Sequence, residues 1–320
     1  MFDVVALGEI LIDFTPAGFT AAGGRCFEQN PGGAPANVLA VVSKFGGTCA
    51  FIGKVGADMF GEFLRGKLLE LSIDCRNLIT DPGYNTTLAF VSIDEKGDRS
   101  FSFCRNHGAD TRLAAEEVDL ELIGECRVFH FGTLSMTHEP ARSATMKALR
   151  AAKELKRIIS FDPNYRPLLW DNENGAVDAM KVGLAYADIA KLSLEEARMI
   201  TGETSPAECL KALLAYGLSF AAVTMGPQGC MYATNKYTAA YPEFPANVVD
   251  TTGAGDTFWG TVLFGLLKLG GDVDRLSEKE LADMVLIANI AAGMSTERKG
   301  AIPSIPDYAR VREAFDKALG

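Results

Sequence analysis

The chain has 320 residues, 31 Lys and Arg against 41 Asp and Glu, a formal net charge of −10 and 48% hydrophobic content. That length allows one large or two modest domains with a sizeable buried core. Charged content of 22% excludes disordered, collagen-like and coiled-coil chains. The acidic balance, without long like-charge runs, also argues against a nucleic-acid partner, which needs clustered Lys and Arg to neutralise phosphates. A small anion held at a local site stays open.

The elements are readable in order. Val4 to Leu7 and Ile10 to Phe14 are apolar runs broken by Gly8-Glu9, as in a buried strand that carries Asp13 at its polar end. After Gly32-Gly33, the positions Val38, Val41, Val42 and Phe45 follow helical spacing, with Pro35 tolerated in the first turn and Gly46-Gly47 as a stop. Strand Cys49 to Val55, helix Met59 to Leu71, helix Ala141 to Lys156, strand Ile158 to Phe161 and strand Asp188 to Leu192 follow. Helices Leu194 to Thr201 and Ala207 to Tyr216, then strand Phe220 to Thr224, continue the alternation. Such alternation predicts right-handed crossovers and an α/β fold with a mostly parallel sheet covered on both faces.

Two stretches break the pattern. Residues 15–30 are rich in Gly, Ala and Thr, and Thr87 to Ile93 and Arg99 to Cys104 read as strands joined by a turn at Asp94-Glu95-Lys96-Gly97-Asp98. They predict a small β-sheet lid built from segments at about 14–30 and 84–108, or else a plain surface hairpin. Seven widely spaced cysteines, Cys26, Cys49, Cys75, Cys104, Cys126, Cys209 and Cys230, without a C-x-x-C pair read as thiols of a reducing compartment. The N-terminal run lacks a basic leader, and no apolar stretch approaches the roughly 18 to 20 residues of a membrane span. A cytoplasmic protein without a membrane partner is expected. The three histidines, His107, His130 and His138, lack the spacing of a zinc site.

The segment Asp250-Thr251-Thr252-Gly253-Ala254-Gly255-Asp256-Thr257-Phe258 precedes the apolar run Trp259 to Leu269. Small residues ahead of a long buried helix leave its first amides open, and with the helix dipole they make an anion site. Asp256 in the first turn would then take the proton of a hydroxyl attacking a phosphorus held there. A Gly-rich turn with a stabilising first-turn carboxylate is the alternative. Neither a G-x-x-x-x-G-K-[ST] loop nor a G-x-G-x-x-G fingerprint occurs.

These motifs, with Gly32-Gly33-Ala34-Pro35-Ala36-Asn37, Gly8 to Asp13, Gly53 to Gly61, Asp162-Pro163-Asn164-Tyr165-Arg166, Thr224 to Gly229 and Arg298 to Ser304, resemble the ribokinase (PfkB-type) sugar kinases nearly end to end. Phe101 to Asp110 looks most like the fructokinases, with Cys104 where they commonly carry Tyr and His107 where Pro is usual. Kinases of 2-keto-3-deoxygluconate share much of the pattern, including an Arg at the lid position.

The resemblance implies a ribokinase-like three-layer α/β/α core in a single domain over residues 1–320, and ATP-dependent phosphorylation of a sugar hydroxyl. D-fructose is the first expectation and 2-keto-3-deoxygluconate or another sugar or nucleoside the alternative; a non-catalytic sensor is the reading from another class. Asp13, Gly33, Asn37, Arg105 and Asp256 would bind the sugar, with Asp256 as base and Gly253, Ala254 and Gly255 as anion hole. Asn164, Arg166, Ser193, Thr224, Gly226, Gly229 and Asn289 would line the ATP cleft. Glu196 would order water around Mg²⁺, although Ser193 and Glu196 also read as a capping box. Asp250, Thr252, Ser295, Arg298, Gly300 and Ser304 correspond to a K⁺ loop, or to a tight connection. A homodimer through the lid is a further expectation.

Overall fold

A computed structural model of the chain describes residues 1–93, 99–106 and 108–319. The expected turn at Asp94 to Asp98, and the His107 departure, lie outside the described residues. In chain order the elements are β1 (Phe2–Leu7), β2 (Leu11–Phe19), β3 (Arg25–Gly32), α1 (Ala34–Lys44), β4 (Cys49–Gly56), α2 (Met59–Glu70), β5 (Ile73–Asp81), β6 (Leu88–Ile93) and β7 (Arg99–Cys104). Next come α3 (Leu120–Gly124), β8 (Cys126–Phe131), α4 (Ala141–Glu154), β9 (Ile158–Phe161), α5 (Glu173–Tyr186), β10 (Ile189–Ser193), α6 (Leu194–Thr201) and α7 (Pro206–Leu214). The chain continues through β11 (Phe220–Thr224), β12 (Cys230–Thr234), β13 (Thr238–Tyr241), α8 (Ala254–Lys268), α9 (Glu278–Ser295) and α10 (Tyr308–Leu319).

Nine strands form the main sheet in the order β13-β12-β11-β10-β9-β8-β1-β4-β5. All neighbours run parallel except β11 with β12 and β12 with β13, which are antiparallel. Both faces are buried, as a parallel sheet requires. Along β1, Val4 and Ala6 enter the core shared with α1, α8 and α9, whereas Val5 and Leu7 enter the core under α4, α5 and α7. From β1 the chain first builds outward through β4 and β5, then restarts at β8 on the other side. The resulting switch of direction opens a crevice at the carboxyl ends of the strands, where open α/β sheets hold ligands.

The apolar runs on either side of Gly8-Glu9 belong to different sheets. β1 lies in the main sheet, while β2 leaves it to pair with β3 and β6 in a four-stranded sheet of order β3-β2-β6-β7. The expected single strand with a polar end is therefore a crossing point. The Gly-, Ala- and Thr-rich stretch is strand on either side of a turn at residues 20–24, in a sheet where Phe14 stacks on Phe90 and Phe27 meets the same ring edge-on. To the elements expected from sequence the structure adds β5, α3, β8, α5, the antiparallel pair β12 and β13, and α10.

Helix α8 is apolar on every side because it lies inside the protein. Its Trp259 indole donates to Ser160 Oγ at 2.9 Å, anchoring the helix to β9. Gly260 lets α1 approach: a Cβ there would sit 2.7 Å from Val41 Cβ and 2.9 Å from Val38 O. Gly260→Ala is therefore expected to destabilise the protein by about 1 to 3 kcal/mol through overpacking. Urea denaturation measures it, and an unchanged midpoint would mean that α1 and α8 have room to separate.

Candidate active site

A cavity of about 620 Å³ lies at the carboxyl ends of the strands, within the size range of small-molecule sites. Twelve of the residues expected in the site line it: Asp13, Gly33, Asn37, Asn164, Arg166, Ser193, Glu196, Thr224, Thr252, Gly253, Gly255 and Asp256. They come from β2, the start of α1, the segments after β9 and β10, the end of β11 and the start of α8. Residues distant in sequence therefore meet in one place.

The start of α8 is built to stay open. Gly253, its N-cap, has φ of +76°, a conformation that favours glycine, and a Cβ there would strike Ala301 Cβ at 2.7 Å. Among the described residues no side chain caps this end of the helix, and its Gly253, Gly255 and Asp256 line the cavity, where the helix dipole favours negative charge. Asp256 is in that first turn, and its Oδ2 accepts from Asn37 Nδ2 at 2.8 Å. Among the described residues Asn37 Oδ1 is buried without a hydrogen-bond partner, an acceptor that favours a donor arriving from a ligand.

The glycine pair before α1 has a steric reason. A Cβ on Gly32 would fall 2.0 Å from Asp13 Oδ2, so the carboxylate occupies the space a side chain would need. Gly33 has φ of +107° and leaves room for Glu9 O, 2.5 Å from where a Cβ would stand. Burial pushes the Asp13 carboxyl up to about 7, with Asp256 and Asp250 adding to the shift and Arg166 opposing it.

The segment after β9 crosses the cavity with Asn164 at φ of +49°, unusual for a residue with a side chain. Glu196 holds it there: Oε1 accepts from Tyr165 N at 2.7 Å while Oε2 accepts from Ser193 N at 2.7 Å. Ser193 Oγ in turn accepts from Glu196 N at 3.2 Å. The capping box is thus real, and the same carboxylate braces the Asn164–Arg166 segment while lining the cavity.

A model of the pfkB family of carbohydrate kinases matches residues 1–308. The chain belongs to that family. Fructokinase-1 of Zea mays is 40% identical to this kinase over 319 residues, covering 98% of each chain. A fructokinase with bound ATP from Xylella fastidiosa superposes with a TM-score of 0.91 at 28% identity, over 100% of both chains. A fructokinase double mutant from Vibrio cholerae O395, in a form with fructose, ADP and potassium ion bound, gives 0.86 at 30% identity over 98% of both. The ribokinase-like α/β/α architecture, with its additional small sheet, is thereby shared with solved kinases.

Several expected site residues of this kinase stand elsewhere. Arg105 is not among the cavity-lining residues; its guanidinium is held in a buried ion pair with Asp110. Asn289 Nδ2 donates to Pro242 O at 2.7 Å, which ties α9 to the segment after β13. Gly226 faces open space, and Gly229 lies against β13, where a Cβ would meet Tyr241 O at 2.0 Å; neither lines the cavity. The Ala254 amide turns back to Thr251 O at 3.2 Å. Asp250 is buried behind the cavity, its Oδ1 accepting from Thr252 N at 2.7 Å and its Oδ2 from Gly300 N at 3.0 Å. The Ser295 and Ser304 hydroxyls donate to Ala292 O and Ala301 O, and Arg298 is exposed.

Three charged residues without a sequence-derived role lie at or beside the site. Lys191 lines the cavity and its Nζ would be 3.0 Å from a Cβ on Gly255. It pairs with Asp162 Oδ2 at 2.7 Å, both side chains buried. Burial opposes its charge, but Asp162, Glu196 and Asp256 together push its pKa above the usual lysine value. Glu9 accepts from Ala34 N at 3.0 Å, and burial, partly offset by Arg105, pushes its carboxyl up to about 7. The signal available was a lone charge at the end of an apolar strand, as in Ile189-Ala190-Lys191-Leu192.

Unfolded carboxylates titrate near about 4, so between about 4 and 7 the native protein holds protons on Asp13 and Glu9 that the unfolded chain has released. Their contribution to stability is complete below that window and is lost as pH rises through it. Asp13→Asn should therefore raise the melting temperature of the ligand-free protein more at pH 8 than at pH 5. Equal shifts at the two pH values would show that Asp13 titrates in the ordinary range.

Proposed function

We propose that this kinase transfers the γ-phosphoryl group of ATP to the 6-hydroxyl of D-fructose, giving fructose 6-phosphate and ADP. The observation that carries the reading is the Asn37–Asp256 contact at the uncapped start of α8 inside the cavity. The Asn37 amide fixes one Asp256 oxygen, leaving the other to accept the proton of the attacking hydroxyl. Amides of Gly253, Gly255 and Asp256, with Lys191 beside Gly255, would stabilise charge on the transferring group, as phosphoryl transfer requires. Arg166 would pair with phosphate oxygens through its planar fork. Asp13, Gly33 and the unpartnered Asn37 Oδ1 would receive sugar hydroxyls. Fructose is favoured because the curated relative at 40% identity is named a fructokinase over its whole length.

Mg²⁺ keeps several waters and binds mainly to the nucleotide's phosphate oxygens. Glu195 and Glu196 line the cavity, and their carboxylates would order the water shell of that ion, which when bound would neutralise charge on the phosphates. For K⁺, the buried Asp250 joins the Thr252 and Gly300 loops by their amides, a frame in which backbone carbonyls would suit the ion.

The four-stranded sheet would serve as a lid, since Phe103 of β7 lines the cavity. Its outer side exposes Phe19 and Phe27, apolar surface that would pair two copies through this sheet. Among the described residues no helix is long and apolar enough to cross a membrane.

ADP release with fructose, ribose, 2-keto-3-deoxygluconate and nucleosides, each with and without K⁺, tests the reading: fructose should give the highest kcat/KM. A preference for any other member, or silence with ligand-induced thermal shifts retained, would overturn it. Asp256→Asn should lower kcat by about 10²- to 10⁴-fold with little change in fructose binding; near-normal turnover would remove Asp256 from the role of base.

A further inference from the structure

Asp110 follows β7 in a short helical turn and is buried, as is Arg105. The guanidinium donates to Asp110 Oδ2 through Nε at 2.8 Å and through Nη2 at 2.7 Å. Nη2 also reaches Leu134 O at 2.8 Å, and Nη1 reaches Thr137 Oγ1 at 2.9 Å. Every nitrogen of the group is therefore engaged. The other carboxylate oxygen of Asp110 accepts from the buried Thr87 hydroxyl, so the acid is fixed from both sides. Leu134 lines the cavity and Arg105 does not, which puts the cation just behind the wall. On the cavity side the same region presents Glu9, a buried carboxyl whose Oε1 is held by the amide that follows Gly33.

We propose that Asp110 is a specificity-determining residue: by retaining Arg105 behind Leu134, it leaves Glu9 as the ionisable group facing the substrate on that wall. The pocket then takes a neutral ketohexose and rejects a sugar acid such as 2-keto-3-deoxygluconate. A hydroxyl can donate to Glu9 in exchange for the hydrogen bond it gave to water. A carboxylate entering the same place gives up its water to face another carboxyl, while Arg105, the cation behind that wall, is already neutralised. The proton that Glu9 keeps to about pH 7 softens this repulsion without supplying a positive charge.

Removing Asp110 leaves a buried guanidinium without its counter-ion, and such a charge recruits the nearest anion. Glu9 would compete for that place, so the largest change is expected when both acids are neutralised. The inference rests on the fructose reading, deepens it, and fails separately from it. The experiment measures kcat/KM for 2-keto-3-deoxygluconate and for D-fructose in the wild-type kinase, in Asp110→Asn and in Asp110→Asn/Glu9→Gln. The acid-to-fructose ratio should rise by about 10- to 100-fold in the single variant, as expected for a new charge-assisted hydrogen bond, and further in the double variant. Because both substrates are read in one preparation, a reduced folded fraction cancels from the ratio. A wild-type preference for the acid would sink the fructose reading. A fructose-selective wild type whose ratio is unmoved in both variants would sink only the role of Asp110. A measurement independent of the variants completes the test: fructose should raise the wild-type melting temperature, and 2-keto-3-deoxygluconate at equal concentration should not. Matched shifts would overturn the proposal.

Discussion

The ion pair between Lys191 and Asp162 is the constraint around which the site is assembled. It is buried at the ends of adjacent parallel strands, β10 and β9, and it occupies the space beside Gly255 in the first turn of α8. Taking two charges out of water is costly, and a buried pair of this kind gives little net stability against an apolar replacement. What it supplies is position and sign. A cation stands within contact of a helix start that already carries partial positive charge, in a chain whose net charge is −10. Whatever attraction for an anion exists here would thus be local, from one helix end, Arg166 and a lysine whose charge Asp162 already offsets in part, against the sign of the molecule as a whole.

Around that centre, close approach replaces side chains at several points. Gly255 admits Lys191, Gly32 admits the Asp13 carboxylate, and Gly33 admits the Glu9 carbonyl. Gly260 then allows α1 to pack against α8, and this packing delivers Asn37 to Asp256. The Asn37–Asp256 contact at 2.8 Å between residues 219 apart therefore depends on a helix interface that has no chemistry of its own. Rigid neighbours on both sides are what keep such a geometry within tolerance.

Much of this was legible in the sequence because it rests on local rules. The helical spacing of Val38 to Phe45, the Pro in the first turn and the small residues before Trp259 each follow from backbone sterics and one-sided burial. The unread parts depend on contacts between distant segments. Ile10 to Phe14 continues the apolar run of β1, and only pairing with β3 and β6 shows that it has left the main sheet. Lys191 looks like an ordinary charge until β9 brings Asp162 to it. Arg105 and Asn289 are polar residues whose partners, Asp110 and Pro242, cannot be inferred from spacing, so their expected place in the cavity was a matter of resemblance rather than of physics. Glu196 shows the reverse case: its capping box was readable, and the tertiary bond to Tyr165 N was not.

The two raised carboxyls connect the fold to the kind of ligand the cavity suits. Asp13 and Glu9 are desolvated before any substrate arrives, a cost that a folded protein bears only where a neighbour or ligand offsets it. Arg166 opposes the shift at Asp13, and Arg105 opposes it at Glu9, but each does so from a distance and incompletely. A polyol supplies what both lack, since each hydroxyl donates one hydrogen bond and brings no charge of its own. The same groups would strengthen as acceptors when ionised, so binding of a polyol there would be coupled to proton release. At the opposite functional extreme, the start of α8 has donors in excess and suits a polyanion. On the proposed reading the sugar would meet the acceptors Asp13 and Glu9 and the phosphates the amides at the start of α8, and Asp256, held by Asn37, would stand between them.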